Sequence, residues 1–573
     1  MRAFATYDAM ILHLRSLYGE TAADEVVRAI ESLLVKYLGT SGSGSGEPAL
    51  DHRDVLLITY GDTFNDGESP PLKVLHRFHS EHLQGVFELV HILPFHPYSS
   101  DDGFSVIDYY AVREDLGSWD DIASLSADCR IMADAVINHM SSESPWFRDF
   151  LAGDEDRSGF FTEADPEADL SAVVRPRTSP LLTRFEDAAG EDRFVWTTFS
   201  ADQVDLNYRN PAVLVAMIEV LYFLISKGAR LLRLDAVTFL WKEPGTSSAN
   251  LEETHRLIKI MRAAIGMLRD DVVIITETNV PHHENVAYFG DGRDEAQMVY
   301  NFALPPLIAH SFIRGNSERL SDWARELSLP GDDVCFLNFS ASHDGVGVRP
   351  VEQILDEAEQ QALVDAATAA NGLVSSRRLS DGRERPYELN CTFLDLISRP
   401  GDEVDVLVDR FVASQAIVLA MPGVPAIYVQ SLLGTRNDLA RVEQTGRARS
   451  INRSKHEYAS ITSKILDRET RQGRVFDRLT RMIRVRRVHA AFDPYAPFEI
   501  VDFGHEVFAL TRGADEQAIT CITNLTDRGV TIDITAERVG EELLSSTTIA
   551  AGQHTLPAFA VWWLRHGKTQ GAL

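Results

Sequence analysis

Four short apolar runs in this chain end in residues that could do chemistry. Asp134, Asn138 and His139 lie along IMADAVINH (131–139), and Arg233 and Asp235 interrupt LLRLDAV (231–237). Glu277, Thr278 and Asn279 follow VVIIT, and His343 and Asp344 close CFLNFSASHD (335–344). Side chains alternate across a strand, so Arg233 and Asp235 share a face. A carboxylate on an apolar strand is costly unless it is paired. Alone, the two are compatible with a structural ion pair inside a sheet. They are also compatible with a carboxylate held ionised for nucleophilic attack. The full set favours the second reading, because ionisable groups gathered at one end of four strands are rare without function.

Two carboxylates on neighbouring strands suit cleavage of a glycosidic bond. One attacks the anomeric carbon and the other protonates the leaving oxygen. Asp235 and Glu277 are the pair, expected roughly 5 Å apart for a retaining mechanism. The apolar run before Glu277 predicts a raised pKa, which keeps an acid protonated. Arg233 is placed to keep Asp235 ionised. Asp344 is the residue expected to hold sugar hydroxyls and favour a positively charged transition state.

Such a set needs a frame that brings strand ends together. Eight apolar runs alternate with helical stretches: 55–60, 89–95, 131–139, 231–237, 272–278, 298–302, 335–344 and 425–430. That is the pattern of a (β/α)8 TIM barrel, spanning about 50–490. Long connections, about 140–200 and 345–410, follow strands three and seven. They belong on the C-terminal face, where barrel active sites lie. Residues 1–38 read as two helices, with Met10, Leu14, Leu17 and Tyr18 on one face. The Gly/Ser segment GTSGSGSGEP (39–48) separates this N-terminal helical extension, 1–49, from the barrel. Short strands from about 491 to 573 predict a C-terminal antiparallel β domain.

Composition narrows the function further. The net charge of −30 disfavours nucleic acid and anionic membranes. Anionic substrates must therefore be met by local arginines. No apolar run is long enough to span a membrane, and no signal peptide is evident. Four scattered cysteines form no metal or disulfide pattern, which fits a reduced cytoplasmic setting. No cofactor and no metal are expected. The expected partners are small molecules, with no macromolecule beyond a second copy in a homodimer.

The four motifs, in order along the whole barrel, resemble the signature regions of the α-amylase superfamily of retaining α-glycosidases. The resemblance implies Asp235 as nucleophile, Glu277 as acid/base and Asp344 as transition-state stabiliser. It implies His139, His343 and Arg233 as ligands of the glucosyl unit and its nucleophile. It also places Asn138 near a calcium ion in many members, although no carboxylate cluster is evident in the first insertion to complete such a site.

VHILPFHPYSSDDGFSVIDY (90–109), RPRTSPLLT (175–183), PGVPAIYVQSLLGTRND (422–438) and SINR (450–453) are similar to the sucrose-phosphorylase subfamily. In that subfamily inorganic phosphate, rather than water, resolves the glucosyl-enzyme of an α-glucoside. The resemblance implies Asp102 and Arg453 on the far hydroxyl of glucose, Arg177 on phosphate and Phe199 as an aromatic wall. Departures fall at positions on the acceptor side: Phe239 for Tyr, Asn279 for His, and Glu388 for Gln. They imply an acceptor other than plain fructose. With the N-terminal helices, ITETNVPH and YELN, they are most similar to a branch whose acceptor is glycerate. The alternatives are a phosphorylase of sucrose 6′-phosphate or of sucrose, and after them a hydrolase of a small α-glucoside. Arg377, Arg378, Arg383 and Arg385 in the second insertion are candidates for anion binding. Lys242 and Glu243 are further candidates on the acceptor side. His96 reads as a surface-loop histidine.

Overall fold

The computed structural model describes residues 2–39, 50–177, 179–378 and 383–567. The glycine- and serine-rich linker, apart from Gly39, lies outside them, as does the side chain of Arg378. Eight parallel strands close into a barrel: β1 (Leu56–Thr59), β2 (Leu89–Ile92), β3 (Arg130–Val136), β4 (Ala229–Asp235), β5 (Val273–Thr276), β6 (Met298–Tyr300), β7 (Cys335–Asn338) and β8 (Val424–Tyr428). The expected (β/α)8 barrel is therefore present, and each of its strands falls within or overlaps an expected run. Pairing of β1 with β8, Leu56 opposite Ala426, closes the ring.

The register of the middle strands positions the chemistry. Asp134 on β3 is opposite Arg233 on β4, and Leu234 is opposite Thr276 on β5. Asp235 and Glu277 therefore leave adjacent strands at the same level. The apolar residues below them, such as Leu232, Leu234, Ile274 and Ile275, are buried on both faces, as parallel barrel strands require. That packed floor fixes the strand ends rigidly.

Around the mouth, the segment after β3 returns as a short ladder, His139–Ser141 against Gln203–Asp205. It also carries the hairpin Leu182–Glu186 and Asp192–Trp196. The segment after β7 forms a three-stranded sheet in which Glu384–Asn390 lies between Leu373–Arg378 and Val346–Gly347. Glu388 is on that central strand.

At the N-terminus, α1 (Arg2–Leu38) breaks at Gly19, with φ 77° and ψ 171°. Two helical arms result, and they pack on α2 (Pro211–Ser226) and α3 (Glu252–Leu268), the helices that flank β4. Met10, Leu14 and Ile30 are buried there, and the Tyr18 hydroxyl donates to the Tyr208 carbonyl at 2.8 Å. After the barrel, Phe498–Val501, Val507–Arg512, Ile519–Asn524, Val561–His566, Gly540–Glu542 and Thr547–Ile549 form a six-stranded sheet. Arg512, buried on this sheet, joins it to the barrel by donating to the backbone carbonyls of Ala420 and Met421.

Candidate active site

A cavity, about 780 Å³ together with the open space at its mouth, lies at the C-terminal ends of the strands. At its base Arg233, buried, organises three carboxylates. Its Nη1 donates to Asp134 Oδ1 at 2.5 Å and to Asp235 Oδ1 at 2.7 Å, while Nη2 lies 4.0 Å from Glu277 Oε2. The second oxygen of Asp134 is hydrogen-bonded to His91 Nε2 at 2.7 Å. Ala236, just past Asp235, takes a left-handed φ of 53°. This bend aims its N–H at Glu277 Oε2, 3.1 Å away. A non-glycine residue in that region is strained, and such strain gathers at functional sites.

Arg233 contacts the two carboxyl groups unequally, at 2.7 Å for Asp235 and 4.0 Å for Glu277. Burial pushes the Glu277 carboxyl up to about 7, and the negative charges of Asp235 and Asp344 add to the rise against the pull of Arg233. Burial also raises Asp235, but Arg233 and His139 limit the effect. Glu277 is therefore the group that keeps its proton. Burial opposes the charge of Asp344 too, yet Arg449 and Arg453 hold its carboxyl below the ordinary value. His343 is driven well below the ordinary imidazole range by burial and by the nearby arginines, so it is neutral.

Asp235, Glu277, Asp344, His139, Arg177, Phe199, Arg233, Asn279, His343 and Glu388, expected at the catalytic, glucosyl and acceptor positions, all line this cavity. Asp102, Phe239 and Arg453 stand behind the wall. Arg453 donates from Nη1 to Asp102 at 2.6 Å and from Nε to the His343 carbonyl at 2.8 Å. Phe239 packs edge-on against Phe199, with ring centroids 5.6 Å apart. The acid on the wall beside this pair is Asp101, next to Asp102.

Arg449, like Asp101, is a lining residue that sequence reading missed. It bridges Asp344, at 2.6 Å, and Glu388, which it holds through Nε at 3.0 Å and Nη2 at 2.9 Å. Its position four residues before Arg453, in RARSINR, was the available signal. Glu388 also accepts from the Gly345 N–H at 2.5 Å. A Cβ on Gly345 would fall 2.5 Å from the Leu389 carbonyl oxygen, so only glycine permits this approach. Arg177 differs from the other lining arginines. It lies near the rings of Phe199 and Tyr387, at 6.0 and 5.7 Å, and has no carboxylate partner among the described residues.

Several expectations need correction. Arg377 is paired with Glu352 at 2.7 Å, and Arg385 with Glu357 at 3.1 Å. Neither lines the cavity, whose cations come instead from Arg177, Arg233 and Arg449. Lys242 points away from the cavity. Its buried ammonium donates to Asn138 Oδ1 at 2.8 Å and lies 3.2 Å from Asp205 Oδ2, filling a cage of oxygens. Glu243 pairs with Arg209 at 2.9 Å. His96 is not on the surface. It is 1% exposed, bonded to the Ala111 carbonyl at 2.8 Å, and packed against Phe95 and Trp119.

A buried Arg–Asp pair, a protonated Glu on the adjacent strand and a third acid across the barrel mouth define a carbohydrate-processing barrel of the α-amylase class. Residues 85–325 match the family described as Alpha amylase, catalytic domain. The chain is 45% identical to a glucosylglycerate phosphorylase of Escherichia coli (strain K12), over 90% of this chain and 92% of that protein. It is 44% identical to a glucosylglycerate phosphorylase of Allomeiothermus silvanus, over 94% of this chain and 95% of that protein. Among solved structures, sucrose 6F-phosphate phosphorylase from Thermoanaerobacter thermosaccharolyticum superposes with a TM-score of 0.73 at 25% identity, covering 88% of this chain and 98% of that one. The chain belongs to the glucosylglycerate phosphorylase family, within the sucrose-phosphorylase branch of the α-amylase superfamily.

Proposed function

We propose that the chain is a retaining phosphorylase. It converts glucosylglycerate and inorganic phosphate reversibly to α-glucose 1-phosphate and glycerate. The observation that carries this reading is Arg177, an arginine with no carboxylate partner among the described residues, facing the same cavity as the Asp235–Glu277 pair. A hydrolase needs no cation there, whereas a phosphorylase must hold an anion beside the anomeric carbon. Guanidinium suits both phosphate and carboxylate.

The geometry supports a double displacement. Asp235 attacks the anomeric carbon, and Glu277 gives its proton to the departing glycerate oxygen. Arg233 releases Asp235 to the ester while keeping Asp134 as its partner. Asp344, held ionised by two arginines, stabilises positive charge on the ring. Glycerate leaves before phosphate enters. One arginine can therefore serve both anions in turn: the glycerate carboxylate first, then phosphate. Asn279 and Glu388 face the same space and suit the glycerate hydroxyls. His139, His343 and Phe199 enclose the glucosyl ring, and Asp102 and Arg453 support its far end. All these small molecules meet the chain without a cofactor.

Two outcomes are expected. Among sucrose, sucrose 6′-phosphate, glucosylglycerol and glucosylglycerate, phosphorolysis is expected to be fastest on glucosylglycerate. A much faster reaction with sucrose or its 6′-phosphate would refute the acceptor assignment. Further, kcat/KM for glucosylglycerate, which reports only the first half-reaction, is expected to fall tenfold per pH unit above about 7. That is where Glu277 loses its proton in the free enzyme. A profile flat from pH 6 to 9 would contradict the assignment of Glu277 as the acid.

A further inference from the structure

The Asp101-Asp102-Gly103 turn is unusual in its backbone. All three residues have positive φ, 53°, 50° and 116°. Aspartate visits the left-handed region as a single residue, and two in succession persist only when the surroundings over-determine them. Gly103 cannot be exchanged, because a Cβ there would lie 2.7 Å from the Pro94 side chain. Yet this turn sets the cavity wall: it presents Asp101 to the cavity and Asp102 to Arg453.

What holds the turn comes from another segment. Asp202, ahead of the ladder strand Gln203–Asp205, accepts from the hydroxyls of Ser99, at 2.5 Å, and Ser100, both on the approach to the turn. The same oxygen accepts from Ser105, just after the turn, at 2.7 Å. Its other oxygen takes Ser142 at 2.8 Å. One carboxylate thus grips both flanks. The neighbouring Gln203 continues the attachment, donating to the Phe104 carbonyl at 3.1 Å. Burial disfavours charge on Asp202, but the serine hydroxyls outweigh it and hold the carboxyl below its ordinary value.

We infer that Asp202 is a positioning residue for glucosyl recognition: it locks the left-handed turn that aims Asp101 at the end of the ring opposite the anomeric carbon and Asp102 at the Arg453 behind it. The inference rests on the proposed function for the sugar and on the structure for the turn. Asp202 is not among the residues that line the cavity, so it stands apart from Asp235, Glu277 and the acceptor-side residues. Its loss therefore acts on the donor alone.

The test is synthesis from glucose 1-phosphate and glycerate by Asp202→Asn and by the double variant Ser99→Ala/Ser105→Ala. Both are expected to raise KM for glucose 1-phosphate about tenfold, with KM for glycerate within twofold. A second readout separates positioning from general destabilisation. Removing the sugar's 4-hydroxyl, as in 4-deoxyglucose 1-phosphate, is expected to penalise the wild type strongly and Asp202→Asn far less. Unchanged donor KM in both variants, or donor and acceptor KM rising together, would overturn the inference. If the wild type makes nothing from this substrate pair, the proposed function fails instead. The role of Asp202 is then read from calorimetric binding of glucose, with equal affinity in wild type and Asp202→Asn counting against it.

Discussion

Asp235→Ala is expected to lower turnover of glucosylglycerate at least ~10⁴-fold, because it removes the group proposed to form the covalent glucosyl-enzyme. Stability should change little. Arg233 keeps Asp134 at 2.5 Å, so no buried charge is left without a partner. Deleting a buried carboxylate from an active site often leaves the fold as stable or more so. The truncation also leaves room for a small external nucleophile. With α-glucosyl fluoride as donor, azide is expected to restore turnover and to give the β-glucosyl azide, the inverted product. The checks are steady-state kinetics, a melting curve and the anomeric configuration of the azide. Activity within tenfold of wild type would remove Asp235 from the role of nucleophile.

Glu277→Gln is expected to cost about 10³-fold on glucosylglycerate, within the range for loss of a general acid. Its defect should depend on the leaving group. Glycerate departs as an alkoxide unless it is protonated, whereas fluoride departs with little help. With α-glucosyl fluoride and phosphate the loss should shrink to about tenfold or less, since an ionised phosphate oxygen needs little base to attack. The fall in kcat/KM above pH 7 should vanish with the carboxyl. Equal losses on both donors would mean that Glu277 acts by positioning rather than by proton transfer.

These effects trace to features that the sequence exposes to different degrees. The barrel was legible because its strands are short apolar runs between turn residues, and period and length suffice to find them. Asp235, Glu277 and Asp344 were legible as candidates because ionisable residues at strand ends stand out against apolar neighbours. The cavity wall was harder to read. Asp101 and Asp102 are adjacent and chemically identical, and only the backbone dihedrals decide which one faces the cavity. Arg449 sits in a short 3₁₀ turn, Ala448–Asn452, with no apolar periodicity, and its spacing from Arg453 is the one local feature that separates it from surface arginines such as Arg447. The reverse error befell Arg377 and Arg385. They resembled an anion site in sequence, but nearby glutamates occupy them in the fold. His96 and Lys242 were misread because burial of a polar side chain depends on partners distant in sequence. Long-range pairing such as Lys242 with Asn138, 104 residues apart, leaves no local signature.

The most direct test of the account is the fate of the glucosyl group when the enzyme meets glucosylglycerate with and without phosphate. The account predicts α-glucose 1-phosphate in amounts equal to the glycerate released, at a rate set by phosphate, with little free glucose. Free glucose as the main product at saturating phosphate, or a β-configured phosphate ester, would contradict it.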